Sequence, residues 1–489
     1  MLVLLRSWLP YAALIAGVAD PLAPAATAQT EEVEEEVLRE RLTERVDKRR
    51  PLEPNTIDIA GRPLTVTGEF EVEFDYERDA ARTPQPGAQL FLTTGPEVEA
   101  FYTFGPRLSL FGQVQFGRQA QLQGDSASDT SGVFFERGET WLYSENVAGL
   151  PLSIEIGRLN FEDDRRWWWD ANLDAVRAIL EVGSFELALA LAREVAPSRS
   201  GHDYIEPDAD GVARFIAESS WDWHPEHALT LFLLHQDDRS HTEREGEVVD
   251  PARTDASDAR LTWIGMRLNG ATVLQGGHVV GYWVDAAGVQ GEEQIVEYSD
   301  ASPTGSVVDG STRAGIRGWG VDAGFGWIMP LAFEPRLYAG YAVGSGDSTV
   351  QGSEDRRFRQ TGIQTNEAGF GGAERFNSYG LLLDPELSNL SVVTAGAGIS
   401  LLHSSSLDLV YHHYRLVEPA TALRNARIET PLDGRSRALG EEVDVVLAVE
   451  EWERFEVQVQ ASAFRAGEAF GAKAGDWSYG GFVALRIAF

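Results

Sequence analysis

Three glutamates spaced two apart, Glu69, Glu71 and Glu73, share one face if their segment is a strand. Alternate carboxylates then lie roughly 6.5 to 7 Å apart along the chain, a separation that would suit the acid and base of an inverting glycosidase. The competing reading is a hydrated acidic row that balances arginines facing it. That reading is favoured, because nothing else of a glycosidase site accompanies the row. Histidine offers no better chemistry: His412 and His413 are adjacent and in a strand point to opposite faces, while His224 and His227 flank a turn. Cysteine is absent, which removes disulfides and thiolate metal sites. No catalytic residue, cofactor or metal is assigned.

Arginine is the other recurring group, and its planar fork matches a carboxylate. Arg177, Arg336 and Arg486 lie on faces opposite the apolar rows of their segments, and Arg214 does so if Phe215, Ala217 and Trp221 point the other way. Glu181, Asp322, Asp444 and Glu456 share that polar face. Arg158, Arg415 and Arg465 have the parity of apolar neighbours, but each is near a segment end, where a bulge or loop can redirect it. Such arginines either draw in an anionic ligand or close a salt bridge to a neighbouring acid, two readings of about equal weight.

The elements that must position these groups are strands. Leu64, Val66, Gly68, Phe70, Val72, Phe74 and Tyr76 alternate with Thr65, Thr67, Glu69, Glu71, Glu73 and Asp75, and the same period of two returns in Leu108 to Phe116, Phe185 to Ala192, Trp319 to Trp327, Val443 to Val449 and Phe455 to Ala463. The last thirteen residues, from Trp477 to Phe489, carry an apolar face with aromatics at both ends, the placement of interfacial girdles in a membrane barrel. Short separators (Gly105-Pro-Arg107, His224-Pro-Glu-His227, Asn269-Gly270, Leu402-His403-Ser404) alternate with long ones (118–132, 237–257, 285–317, 345–387, 417–437). Asn-Gly is a tight hairpin signal. These features predict an all-β fold: a single transmembrane antiparallel β-barrel of about 18 strands, with short periplasmic turns and long extracellular loops. Trp477–Phe489 is expected to close it against Leu64–Tyr76.

Residues 1–28 read as a secretory signal peptide, with Arg6, an apolar stretch from Leu9 to Val18 and Ala26-Thr-Ala28 at the cleavage end. Residues 29–60 form a charged periplasmic segment that suits a short helix or a solvated tail equally, and 61–489 form the barrel. A net charge of −35 argues against nucleic acid as a partner. Acids in the external loops are expected to meet lipopolysaccharide, with divalent ions between them.

Several motifs resemble the alginate export family of outer-membrane porins. They are Gly157-Arg158, Arg165-Arg-Trp-Trp-Trp-Asp170, Asp174-Ala-Val-Arg177, Gly340-Tyr-Ala-Val-Gly-Ser-Gly-Asp347, Phe358-Arg-Gln-Thr-Gly-Ile-Gln-Thr-Asn366, Arg375-Phe-Asn377, Pro385-Glu-Leu-Ser-Asn-Leu390, Val410-Tyr-His-His-Tyr-Arg415 and Ala463-Phe-Arg-Ala-Gly467. The resemblance implies a monomeric barrel of the bacterial outer membrane that passively exports an anionic exopolysaccharide, with outer-membrane lipid and periplasmic export partners around it. It also implies luminal roles for Arg158, Asp170, Arg177, Arg359, Arg375 and Arg465. The alternative is a general or sugar-selective diffusion porin of the same fold. The three tryptophans are read as either stacking on sugar rings or packing a loop against the wall, the second favoured because consecutive strand side chains face different ways. The long stretch 345–387 is expected to fold into the pore or over its mouth.

Overall fold

Alternation closes on itself in this chain. The computed structural model describes residues 55–489 except 80, 84–86, 125–131, 201–203, 208, 241–243, 251–253, 256, 303–304, 349–353 and 453. The expected signal peptide and most of the charged segment lie outside the described residues. Eighteen strands form one closed antiparallel barrel. In chain order they are β1 (Arg62–Asp79), β2 (Gly87–Gly105), β3 (Leu108–Gln123), β4 (Gly132–Ser144), β5 (Leu152–Glu162), β6 (Asp170–Val182), β7 (Phe185–Ala192), β8 (Ala213–His224) and β9 (His227–Asp237). The second half comprises β10 (Ser257–Val273), β11 (Val279–Ser302), β12 (Gly305–Ile328), β13 (Arg336–Gly344), β14 (Leu390–Leu401), β15 (Ser405–Leu416), β16 (Ala438–Trp452), β17 (Phe455–Ala466) and β18 (Trp477–Ala488). The expected seam is present: β18 pairs antiparallel with β1 from Glu69↔Ala488 to Arg78↔Tyr479. Phe489 adds one more rung, its N–H donating to the Gly68 carbonyl at 2.8 Å and its own carbonyl accepting from Gly68 N–H at 3.1 Å.

The outer surface explains why the ring closes. Phe70, Phe74, Leu110, Phe116, Ile156, Val176, Leu189, Leu231, Ile264, Phe325, Leu409, Val445 and Val483 are all exposed. An apolar belt with no second layer over it is stable only in hydrocarbon, where every backbone polar group must be paired and no sheet edge can remain open. Aromatics rim the belt, among them Trp319, Tyr341, Tyr411, Trp477 and Tyr479.

Three expectations are corrected. Asn269-Gly270 is not a turn: both residues lie within β10, paired to Trp283 and Tyr282. The period of two runs on through Ala271 and Val273, and the chain reverses where Gly276 and Gly277 both take positive φ (81° and 82°). The stretch 285–317 is not a loop but the paired halves of β11 and β12, antiparallel from Val279↔Ile328 to Ser302↔Gly305 with register shifts after Glu297 and after Asp300. Above the belt that hairpin exposes Gln290, Glu292 and Arg313 to water and buries Val289, Glu293, Val296, Val308 and Ile316, so no unbroken apolar row marks its strands. Residues 55–59, expected in the charged segment, form a strand on the foot of β1, reached through a two-residue turn at Ala60-Gly61 with both φ positive (55° and 79°).

The largest buried cluster lies inside the barrel. Trp167, Trp168, Trp169, Phe358, Tyr379, Leu382, Leu383 and Leu387 pack against inward wall residues such as Phe232, Trp263 and Phe464. Two segments supply it: the β5–β6 connection and the long β13–β14 loop, which folds inward as expected.

Candidate functional site

Asp163 organises the shorter segment. Its carboxylate accepts the N–H groups of Trp168 (2.7 Å) and Trp169 (3.0 Å) and pairs with Arg267 (2.5 Å). Burial pushes its pKa up, but Arg267 and those two amides outweigh burial and hold it below the usual carboxylate range. The turn throws the tryptophans inward. Trp167 stacks on Phe358 at 6.1 Å, Trp168 stacks on Phe232 at 4.6 Å, and Trp169 meets Phe232 edge-on at 5.2 Å. With exposures of 2%, 1% and 2%, none of the three offers a face to a passing sugar. They rivet the loop to the wall.

The longer segment is held by the inner wall. Tyr379 donates to Asp322 on β12 (2.8 Å) and accepts from the Trp167 indole N–H (2.8 Å). Glu442 on β16 accepts the amides of Leu382 (2.7 Å) and Leu383 (3.2 Å) and the Tyr414 hydroxyl (3.1 Å). Thr394 on β14 donates to the Ser378 carbonyl at 3.0 Å. Gly380 has φ +95°, and a Cβ there would run into the Tyr414 hydroxyl and Glu442, so this close approach of the loop to the wall requires glycine.

Between this loop and the β1, β17 and β18 wall lies a cavity of about 710 Å³. Four arginines line it, and each has a carboxylate partner. Arg166 pairs with Glu162 (3.1 Å), Asp170 (3.2 Å) and Glu367. Arg375 pairs with Glu162 (2.9 Å), Arg427 with Asp384 (3.3 Å), and Arg486 with Glu71 (2.5 Å) and Glu456 (3.0 Å). Carboxylates of Glu73, Glu367, Glu374, Asp384 and Glu386 also line the space. Burial pushes the pKa of the loop carboxylates Glu367, Glu374 and Glu386 up, and for Glu374 the charge of Glu456 adds to it.

Of the residues named from sequence, Arg375 and Arg486 line the cavity. Asp170 stands behind Arg166 and accepts from the Thr365 hydroxyl at 2.7 Å. Arg177 faces inward against Glu155 and lies 5.1 Å over the Phe161 ring. Arg214 is buried and reaches Gln236 at 3.3 Å. Arg336 is 2% exposed and clamps Asp408 at 2.8 and 3.1 Å. Arg359 joins the loop to Glu293 on β11 (3.1 Å) and to Asp355 (2.6 Å). Arg158 sits in a wall cluster with Glu194 (2.7 Å) and Asp174 (4.0 Å). Arg465 is the correction: it has the outward parity of Val457 and Val459 and lies 5.9 Å over the Trp477 ring, 3.6 Å from Glu441. No bulge turns it inward, because β16 and β17 stay in register from Gly440↔Ala466 to Val449↔Val457. Arg166 and Arg427 were missed by sequence reasoning. Arg166 stands inside a quoted motif, but Arg427 lies in a loop, where parity gives no signal.

A sequence profile of the alginate export family matches residues 63–482. The alginate production protein AlgE of Pseudomonas aeruginosa is 25% identical over 312 residues, covering 63% of this chain and 62% of the relative. That of Azotobacter vinelandii is 22% identical over 295 residues, covering 57% and 58%. The chain thus spans less than two thirds of each relative's length. Among solved structures, Pseudomonas aeruginosa OccK5 (OpdH) superposes with a TM-score of 0.52 at 9% identity, over 87% of this chain and 98% of that one, a likeness of fold alone.

Proposed function

We infer the task from the family: the chain belongs to the alginate export family, and on that premise we propose an outer-membrane channel that passively exports an anionic uronic-acid polymer. Alginate or a close relative is the polymer assigned. The observation that carries the reading is that every cavity-lining arginine is already neutralised by a carboxylate of the chain. A uronate entering the cavity replaces like with like. The guanidinium is presented in the geometry a carboxylate needs, yet the net gain at each site is small because a bond must be given up. Weak binding at several successive sites is what conduction requires. No catalytic residue is assigned in this reading, and the barrel acts as a monomer.

Planar-bilayer recording tests it. Polymannuronate added to the periplasmic side should block ion current, and Arg375→Gln or Arg486→Gln should weaken that block. Current indifferent to the polymer would sink the proposal. A second reading, a general or sugar-selective diffusion porin, is favoured by one observation: the five lining acids outnumber the four arginines. Cation selectivity together with that indifference would establish it instead.

A further inference from the structure

On five strands, and one residue beyond the end of β7, an arginine occupies the same place on the outer face. Arg78 follows Tyr76, Arg118 follows Phe116, Arg193 follows Leu191, and Arg317 precedes Trp319 on the descending β12. Arg415 follows His413, and Arg465 stands beside Trp477. All six are exposed and share the parity of the apolar belt below them. On the outward positions of those strands between belt foot and arginine there is no charged residue.

Height can be read from the sequence separation. From the outward residue at the belt foot to the arginine the distance is eight residues on three strands (Phe70 to Arg78, Phe185 to Arg193, Leu407 to Arg415) and ten on the others (Leu108 to Arg118, Trp327 to Arg317, Phe455 to Arg465). At about 3.4 Å per residue and a tilt of about 40°, those spans rise roughly 20 to 26 Å. A barrel's apolar band is about 25 Å tall, so the six guanidiniums stand at its upper edge, on the loop side.

Arg78, Arg118, Arg193, Arg317 and Arg415 have no ion pair among the described residues, and Arg465 has only Glu441 at 3.6 Å. This contrasts with the cavity, where each arginine has its acid, and with a chain of net charge −35. Cations left unpaired at one level of a membrane-facing surface are complementary to anions held at that level by the membrane. We propose that this ring binds the phosphate groups of lipopolysaccharide in the outer leaflet, the guanidinium fork taking phosphate oxygens while Tyr76, Phe116, Trp319 and Trp477 pack on the sugar and acyl boundary. The proposal rests on the outer-membrane orientation argued above, and it differs from the acidic-loop contact with lipopolysaccharide expected from sequence.

Native mass spectrometry of the full, folded barrel titrated with lipid A tests it. The wild type should bind bisphosphorylated lipid A at least tenfold more tightly than the fully dephosphorylated lipid. Replacing all six arginines by glutamine should abolish that preference while heat-modifiable mobility and bilayer conductance stay as in wild type. If the sixfold variant does not fold, Arg415→Gln and Arg465→Gln singly should each reduce the preference by about twofold or more. Equal binding of the two lipids, equal binding of phosphatidylglycerol, or a preference untouched by the substitutions would overturn the ring. Because conductance is recorded on the same samples, failure here is separable from failure of the export reading.

Discussion

Glu442 on the inner wall accepts the backbone N–H of Leu382 at 2.7 Å, fastening the inward loop to β16. Glu442→Ala leaves that amide and the Leu383 amide without their acceptor in a buried site, while the Tyr414 hydroxyl keeps the Tyr379 carbonyl at 2.8 Å. Losing a buried acceptor costs about 1–3 kcal/mol, enough to move a loop equilibrium about five- to a hundredfold. The expected outcome is a larger and noisier single-channel conductance with the barrel intact, and conductance equal to wild type would show that the loop is held by other contacts.

Arg375 and Arg486 should contribute comparably to polymer block. Glutamine at either position removes one charge-assisted contact, worth about 1.5–3 kcal/mol before competition with the resident carboxylate. A fall in polymannuronate affinity of about threefold to thirtyfold is expected from dose–response of the block. Arg465→Gln should leave the block unchanged, since Arg465 stands outside the barrel over Trp477.

Selectivity should respond to mild acid. Burial raises the pKa of Glu367, Glu374 and Glu386, so these loop carboxylates take up protons at higher pH than an ordinary glutamate near 4.3. As the pH falls toward the ordinary glutamate range the cavity loses negative charge earlier than free glutamates would, while its arginines remain charged. Reversal potentials in a salt gradient should therefore shift toward anions on acidification. Glu374→Gln should reproduce part of that shift at pH 7 and make the channel less sensitive to pH.

Trp168 should matter to the interior more than to the wall. Trp168→Ala removes a ring stacked on Phe232 at 4.6 Å, a deletion of the kind that costs about 3–5 kcal/mol in a packed core. The barrel's backbone ladder does not depend on that ring. Limited proteolysis should then cut within 345–389 at least several times faster than in wild type, with the unheated gel mobility of the barrel preserved.

The wall was legible because lipid outside and polar groups inside impose a strict period of two. Glu69, Glu71 and Glu73, Arg177 and Arg486 could be assigned to the inner face from that period alone, and the pairing of β18 with β1 followed from the need to leave no edge. Where the strands rise above the lipid their exposed positions turn polar, as at Gln290, Glu292 and Arg313, which is why the upper halves of β11 and β12 read as loop. The interior was less legible. Asp163 gathers Arg267 and two tryptophan amides from beyond any local pattern, and Arg427 reaches the cavity from a loop with no periodicity. Arg465 shows the opposite case: its parity pointed outward, and only the resemblance placed it inside.

The seam at Glu71 and Arg486 joins positions 415 residues apart, and this sets a timetable for the molecule. Loop-closure entropy grows only with the logarithm of length, so so distant a meeting adds little to the equilibrium cost. It adds waiting. Until β18 has paired with β1, the edges of β1 and of the last strand added to the sheet both carry unpaired N–H and C=O groups, each a template for a neighbouring chain. The hazard is therefore kinetic, and a helper that shields the β1 edge until the last strand arrives has more influence on yield than any added stability in the finished barrel.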